Sequence, residues 1–165
     1  MTVYARVDSP VGELLLVGER AGHGVALASV SMTGQRGAVV VRAEWVADSD
    51  AFATVIAQLR SYFAGESTEF DLELRAGGSD FQRRVWDVLD GIPYGTTASY
   101  GEVAAQAGLP RERVRAVAAA IGANPLLIVR PCHRVIGAGG ALTGYAGGRE
   151  RKQRLLELEG VLLAS

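Results

Sequence analysis

Cys132 and His133 stand side by side in the run Val129-Arg130-Pro131-Cys132-His133-Arg134-Val135-Ile136. A thiol next to an imidazole is a candidate nucleophile with a proton acceptor at hand. The thiolate is the reactive form, a free thiol titrates near ~8.5, and adjacent positive charge lowers that value. Arg130, His133 and Arg134 all lie within two positions of Cys132, so the sequence predicts a thiol shifted down. Soft, polarisable sulfur suits displacement at a saturated carbon. Consecutive side chains of a strand point to opposite faces, so the pair can couple only through a backbone bend or a bridging water. Glu159, one step before Gly160, is an acid at the end of the last helix, where the helix dipole disfavours it. A solvated helix end is one reading; an acid that orients a histidine, in the logic of nucleophile, base and acid, is the other.

A second constellation is basic. Gly108-Leu109-Pro110 separates two helical stretches, the pattern of a helix-turn-helix. The second stretch opens with Arg111, Arg113 and Arg115, where a recognition helix meets a groove. It continues as Ala116-Val117-Ala118-Ala119-Ala120, small residues that let a backbone come close to DNA. A buried helical hairpin would show the same pattern.

Composition narrows the classes. Cys132 is the single cysteine, which excludes an intramolecular disulfide and a multi-cysteine zinc site. With only His23 and His133 as imidazoles, the expectation is no metal and no cofactor. No apolar run approaches the ~20 residues of a membrane helix, and the start carries no secretory pattern, so a cytoplasmic protein is expected. The net charge of −1 conceals an asymmetry: residues 1–80 balance at −5 and residues 81–165 at +4. A basic C-terminal part can face phosphates while an acidic N-terminal part does not.

These groups need elements to position them. Thr2 to Val7, Glu13 to Val17, Val25 to Val30 and Ala38 to Trp45 read as strands, the first two joined by the turn Ser9-Pro10-Val11-Gly12. Ser49 to Phe63 has helical spacing, with Phe52, Val55, Ile56, Leu59 and Phe63 on one face, and Glu69 to Leu74 reads as a short strand. Arg75-Ala76-Gly77-Gly78-Ser79 is the best linker. Beyond it, Ser79 or Asp80 caps a helix carrying Phe81, Val85, Val88, Leu89 and Ile92. Ser99 and Glu102 have capping-box spacing for the next helix. Arg111 or Glu112 to Ile121 forms another, Leu126 to Val129 is extended, a glycine-rich loop follows, and a last helix spans about 149–158. The fold predicted is a two-domain α+β member of the α/β class. Residues 1–75 form a small N-terminal domain with an antiparallel sheet and one helix. Residues 79–165 form a mostly helical domain with a helix-turn-helix and a short sheet, bearing the active site.

The run Pro131-Cys132-His133-Arg134-Val135-Ile136-Gly137 resembles the active-site signature of the O6-alkylguanine-DNA alkyltransferases, the methylated-DNA–protein-cysteine methyltransferases of the bacterial Ogt-like kind. Phe81 to Trp86, Ile92 to Gly95, Ser99 to Ala104, Arg115-Ala116-Val117, Asn124-Pro125, Leu142 to Gly148 and Leu155 to Gly160 resemble the family in the same order. The likeness covers essentially residues 79–160; residues 1–75 fit the more variable N-terminal domain loosely.

The resemblance implies DNA repair by a methyltransferase that accepts an alkyl group from O6-alkylguanine on its own cysteine, once and irreversibly. O4-alkylthymine is left open as a second substrate. It implies that Cys132 accepts the alkyl group, that His133 takes the thiol proton through a water, that Glu159 orients His133, and that Asn124 supports the turn presenting the thiol. It implies that Arg115 enters the base stack and that Tyr100 helps turn the nucleotide out. Ala116 and Ala120 belong to the DNA-facing helix, and Arg113 competes with Arg115 because the stretch from Gly108 to Arg115 is one residue longer than in many relatives. Tyr145, Ala146 and Gly147 line the base pocket, and the Val135 carbonyl accepts from the guanine amine. The partner implied is duplex DNA, met by a monomer that can cluster along it. Two departures stand out: Arg130 where the family has an aliphatic residue, and Ala118 where it has glycine. The alternative reading is a module that binds alkylated DNA without chemistry, against which Cys132 argues; a Cys-His hydrolase and a helix-turn-helix regulator complete the set.

Overall fold

The computed structural model describes residues 1–161. The chain divides into two compact units, Met1–Gly77 and Gly78–Ser165; the last four residues of the second lie outside the described residues. The architecture is α+β. Among the described residues no helix is long and apolar enough to cross a membrane.

The first unit is built on a sheet of β1 (Thr2–Val7), β2 (Leu14–Ala21), β3 (Gly24–Met32) and β4 (Val46–Ala47), in the order β3-β2-β1-β4. β1 and β3 flank β2 antiparallel, and β4 runs parallel to β1. Alternating Val3, Ala5, Leu14 and Leu16 turn inward and are buried. A one-turn 3-10 segment, Ser49–Phe52, is capped by Asp48 and leads into α1 (Ala53–Phe63). The buried face of this stretch is Phe52, Val55, Leu59 and Tyr62. The expected face is thus rotated: Tyr62 is fully buried, whereas Ile56 and Phe63 are only partly covered.

Two expected strands are corrected here. Ala38 to Trp45 is irregular, and the fourth strand is only Val46–Ala47. Val40 is 78 % exposed, so this run of β-favouring residues has neither a paired neighbour nor a face to bury. Glu69 to Leu74 contributes a single bridge, Leu74 to Leu27, rather than a strand.

The second unit holds α2 (Asp80–Asp90), β5 (Ala98–Ser99), α3 (Tyr100–Gln106), α4 (Val114–Gly122), β6 (Val135–Ile136) and α5 (Arg149–Leu158). Complete capping boxes, Ser79 with Gln82 and Ser99 with Glu102, start α2 and α3. α2, α3 and α4 pack on one another around Val85, Trp86, Leu89, Val103, Ala104, Val117 and Ile121. Gly108, at φ +72°, makes the turn between α3 and α4, whose entry is a 3-10 turn at Arg111–Arg113. β5 and β6 pair in parallel, Ala98 with Val135 and Ser99 with Ile136. The start of α3 is thereby fixed beside the residues that follow Cys132.

Candidate active site

The segment expected to be extended, Leu126 to Val129, is instead a tight turn. The Val129 amide donates to the Leu127 carbonyl at 2.8 Å across Ile128, whose φ is +73°. This is the rarer, strained form of the γ-turn, and a β-branched residue sits at its centre. A second three-residue turn follows at once: Pro131, at φ −80° and ψ 57°, lets the Cys132 amide donate to the Arg130 carbonyl at 2.7 Å. Periodicity reads apolar residues as extended or helical and cannot see a reversal closed by backbone bonds alone.

Asn124 holds the inside of this double turn. Its Oδ1 accepts from the Leu126 amide at 3.0 Å. Its Nδ2 donates to the Leu126 carbonyl at 3.4 Å, the Arg130 carbonyl at 3.1 Å and Cys132 Sγ at 3.2 Å. Cys132 then begins a 3-10 turn, Cys132–Arg134, which supplies the backbone bend that coupling between Cys132 and His133 requires.

His133 and Glu159 meet across 26 residues of sequence: His133 Nε2 lies 2.7 Å from Glu159 Oε2, with both side chains fully buried. A carboxylate at Nε2 selects the tautomer with its proton there, leaving Nδ1, which has no hydrogen-bond partner among the described residues, as the basic nitrogen. Burial pulls His133 below its ordinary 6.5 against the opposing pull of Glu159, so the ring is neutral near pH 7. Tyr145 lies edge-on to it, ring centres 6.5 Å apart.

Arg134, which the sequence offered only as a nearby charge, is the other half of the acid's environment. It grips Glu159 with two bonds, Nε to Oε1 at 2.7 Å and Nη2 to Oε2 at 3.0 Å, and sends Nη1 to the Ile92 carbonyl at 2.7 Å. This pairing offsets the cost of an acid at the C-terminal cap of α5. It also neutralises Arg134 toward the thiol. The expected lowering of the thiol is reversed: burial pushes Cys132 from 9.0 up to about 11, against the pull of Asn124, Lys152 and Arg130. Cys132 is 4 % exposed, so desolvation of the anion outweighs the charges nearby. The resting thiol therefore holds its proton at neutral pH, and a thiolate at this position would need a base.

Lys152 is the site residue that the sequence reading missed. It sits in α5, is 1 % exposed, and donates through Nζ to the Val135 carbonyl and, at 2.9 Å, to the Thr143 carbonyl. The Thr143 carbonyl also accepts from Tyr100 Oη at 2.8 Å, and Lys152 Nζ lies 6.0 Å from the centre of the Tyr100 ring. A Cβ on Gly144 (φ +75°) would stand 2.6 Å from Tyr100 Oη, so glycine is required there. Two walls of the expected base pocket, Val135 and the loop leading to Tyr145, Ala146 and Gly147, are thus pinned to one ammonium. The only sequence signal was a lysine on the buried side of an amphipathic helix.

Burial pulls Lys152 from 10.5 down to about 8. Between those values the unfolded chain holds more protons than the folded one, so stability rises with pH. Cys132 acts oppositely: from 9.0 to about 11 the folded chain holds more protons, and stability falls as pH climbs. Urea unfolding should therefore show a gain of about 1 kcal/mol from just below pH 8 to pH 9.0. The gain should be absent in Lys152→Met; a Met variant that keeps it would place its origin elsewhere.

The residues expected to face DNA are sorted by exposure. Arg115 projects from the first turn of α4, exposed, while Arg113 lies with its guanidinium 4.8 Å from the centre of the Phe81 ring. Ala116 is partly exposed. Ala120 is a correction: it is 3 % exposed and its carbonyl accepts from Trp86 Nε1 at 2.8 Å, so it faces the core and not a groove. Ala119 occupies the exposed face instead. Among the described residues no cluster of three or more His, Cys, Asp or Glu side chains could hold a metal ion.

Residues 80–161 match the model of the 6-O-methylguanine DNA methyltransferase, DNA binding domain, and residues 2–76 that of the 6-O-methylguanine DNA methyltransferase, ribonuclease-like domain. The chain is 53 % identical over 159 residues to the methylated-DNA–protein-cysteine methyltransferase of Mycobacterium tuberculosis, covering 96 % of this chain and 93 % of the relative. It is 45 % identical over 157 residues to that of Methanosarcina acetivorans, covering 95 % and 97 %. The crystal structure of Mycobacterium tuberculosis OGT in complex with DNA superposes with a TM-score of 0.84 at 53 % identity, covering 95 % of this chain and 92 % of that one. With two matched domains in series and a cysteine, a histidine and a glutamate buried together, this chain belongs to the 6-O-methylguanine DNA methyltransferase family, the methylated-DNA–protein-cysteine methyltransferases.

Proposed function

We propose that this protein repairs duplex DNA by moving the alkyl group of an O6-alkylguanine onto Cys132, irreversibly and once per chain. The observation that carries the reading is the buried thiol beside a neutral histidine whose Nε2 is engaged by Glu159. Deprotonation goes from Sγ through a water to His133 Nδ1. The thiolate attacks the saturated carbon on O6; the S–C bond forms as the C–O bond breaks. The proton taken from the thiol ends on the released guanine, so thiol plus alkylated base become thioether plus guanine. No simple hydrolysis reverses a thioether, which makes each chain good for one event.

A 4 % exposed sulfur cannot reach a stacked base, so the nucleotide must leave the helix, at a cost of a few kcal/mol that a poorly paired lesion reduces. Arg115, exposed at the start of α4, fills the gap in the stack from the minor groove, and Tyr100 crowds the turned-out nucleotide. Arg113, occupied on Phe81, holds the entry to α4. The Val135 carbonyl, with one lone pair on Lys152, offers the other to the guanine amine between Tyr145 and the chain through Ala146 and Gly147. O4-alkylthymine presents the same exocyclic ether and is the second substrate to try. Backbone contacts make binding salt-sensitive and poor in sequence preference.

The test is the intact mass of the protein after mixing with a duplex carrying one O6-methylguanine. A gain of one methylene unit, saturating at one per chain and located at Cys132, is expected. Tight binding with no gain would indicate a lesion-binding module instead. Arg115→Ala should slow repair in duplex by about tenfold or more while leaving reaction with free O6-benzylguanine within a few-fold; equal losses on both would remove Arg115 from the stack, and a larger loss for Arg113→Ala would move the role there.

A further inference from the structure

Packing does not account for Arg130. The residue is 9 % exposed; Nε donates to Asp90 Oδ1 at 3.2 Å, the guanidinium lies 4.8 Å from the centre of the Trp86 ring, and the buried Nη1 has no hydrogen-bond partner among the described residues. A buried donor left unbonded costs stability, and an apolar side chain often matches or betters a buried ion pair. An aliphatic residue, which the family resemblance implies at this position, would fill the space with no such cost.

The backbone of the same residue is the centre of the reactive turn. Its carbonyl accepts from the Cys132 amide at 2.7 Å and from Asn124 Nδ2 at 3.1 Å, and its amide donates to the Leu126 carbonyl at 2.9 Å. Asn124 Nδ2 also reaches Cys132 Sγ. Whatever fixes the Arg130 backbone therefore fixes the thiol. The side chain provides that anchor: Trp86 and Asp90 lie four residues apart on α2, and Trp86 Nε1 bonds the Ala120 carbonyl of α4. The turn needs one, because Ile128 holds a left-handed φ. The guanidinium charge also bears on the thiol. Lys152 of α5 adds its charge to Cys132, His133 and Arg134 are both bound to Glu159, and Asp90, with Asp87 beyond it, is the acid that faces Arg130. Asp90 is half-exposed and compensates the guanidinium only partly.

We propose that Arg130 is a positioning residue for alkyl transfer: it clamps the Cys132 turn to α2 and α4 through Asp90 and Trp86 and lends positive charge to the forming thiolate. The role rests on the alkyl transfer proposed for Cys132.

Arg130→Met removes charge and clamp at similar volume; Arg130→Lys keeps the charge and loses the planar fork. The readouts are benzyl uptake from free O6-benzylguanine, followed by intact mass across a range of pH, and Tm. The Met variant should hold or raise Tm, take up benzyl about tenfold more slowly, and need higher pH for a given rate. The Lys variant should recover the pH dependence while its maximal rate stays low. A Met variant with wild-type rates at every pH overturns the role, and so does one that loses Tm and activity together, as a merely structural residue would. Wild-type protein that takes up no benzyl group overturns the transfer reading itself, and this role with it.

Discussion

Cys132→Ala should end transfer completely and leave affinity for alkylated duplex within a few-fold of wild type. The chemistry proposed has one nucleophile, since no other residue in the sequence is a cysteine. The fold survives because the sulfur is not the sole acceptor for Asn124: Nδ2 keeps the Leu126 and Arg130 carbonyls, so no buried donor is orphaned. Loss of one buried sulfur and one weak bond costs about 1 kcal/mol. Intact mass and a gel-shift titration at fixed salt read the two halves separately. A folded variant that no longer binds alkylated duplex would make Cys132 part of the recognition surface rather than the alkyl acceptor alone.

Glu159→Gln has the next largest effect, and it falls on stability and chemistry together. The carboxylate is fully buried and accepts from His133 Nε2 and from two nitrogens of Arg134. An amide keeps the shape but removes the charge and turns a donor toward groups that are themselves donors. Arg134 is left as a buried cation without its anion, a change that costs about 3–5 kcal/mol. At about 2–4 °C per kcal/mol for a chain of this size, Tm should drop by roughly 10 °C. Transfer should slow by about 10²–10⁴-fold, because His133 loses the partner that sets its tautomer and its orientation. The double variant Glu159→Gln with Arg134→Leu separates the two: removing the stranded cation should restore most of the Tm and none of the rate. Recovery of both would mean that the pair serves the fold alone.

What is legible without coordinates follows from the range of the interactions. The capping box of Ser99 with Glu102 spans three residues and is present as read, and of the two caps offered for α2 the structure takes Ser79, which adds a box with Gln82. Cys132, His133, Asn124 and Glu159 are named through a family likeness, and the structure brings all four into one buried cluster. Properties set by burial leave no such local trace. Charged sequence neighbours predict a low thiol, but desolvation raises it, and Arg134 directs its charge to an acid 25 residues away. Ala120 has the same small side chain as Ala119, and only the rotation of α4 against Trp86 separates an inward residue from an outward one. The strand expected at Ala38 to Trp45 has the right composition and no neighbour to pair with. Lys152 carries no mark beyond its place on the buried side of α5, since its partners are two backbone carbonyls whose residue types are immaterial to the bond.

The Thr143 carbonyl receives both Tyr100 and Lys152, yet the bond is to the main chain, and the Thr143 side chain is not what is being recognised. Position 143 can therefore drift through most side chains without disturbing the loop. Tyr100, Gly144 and Lys152 cannot: each supplies an atom, or an absence of atoms, that no other residue type reproduces. The loop is held through three positions while its central atom belongs to a fourth that is free to vary. A substitution at Thr143 can thus change the rim of this loop without loosening the frame that holds it.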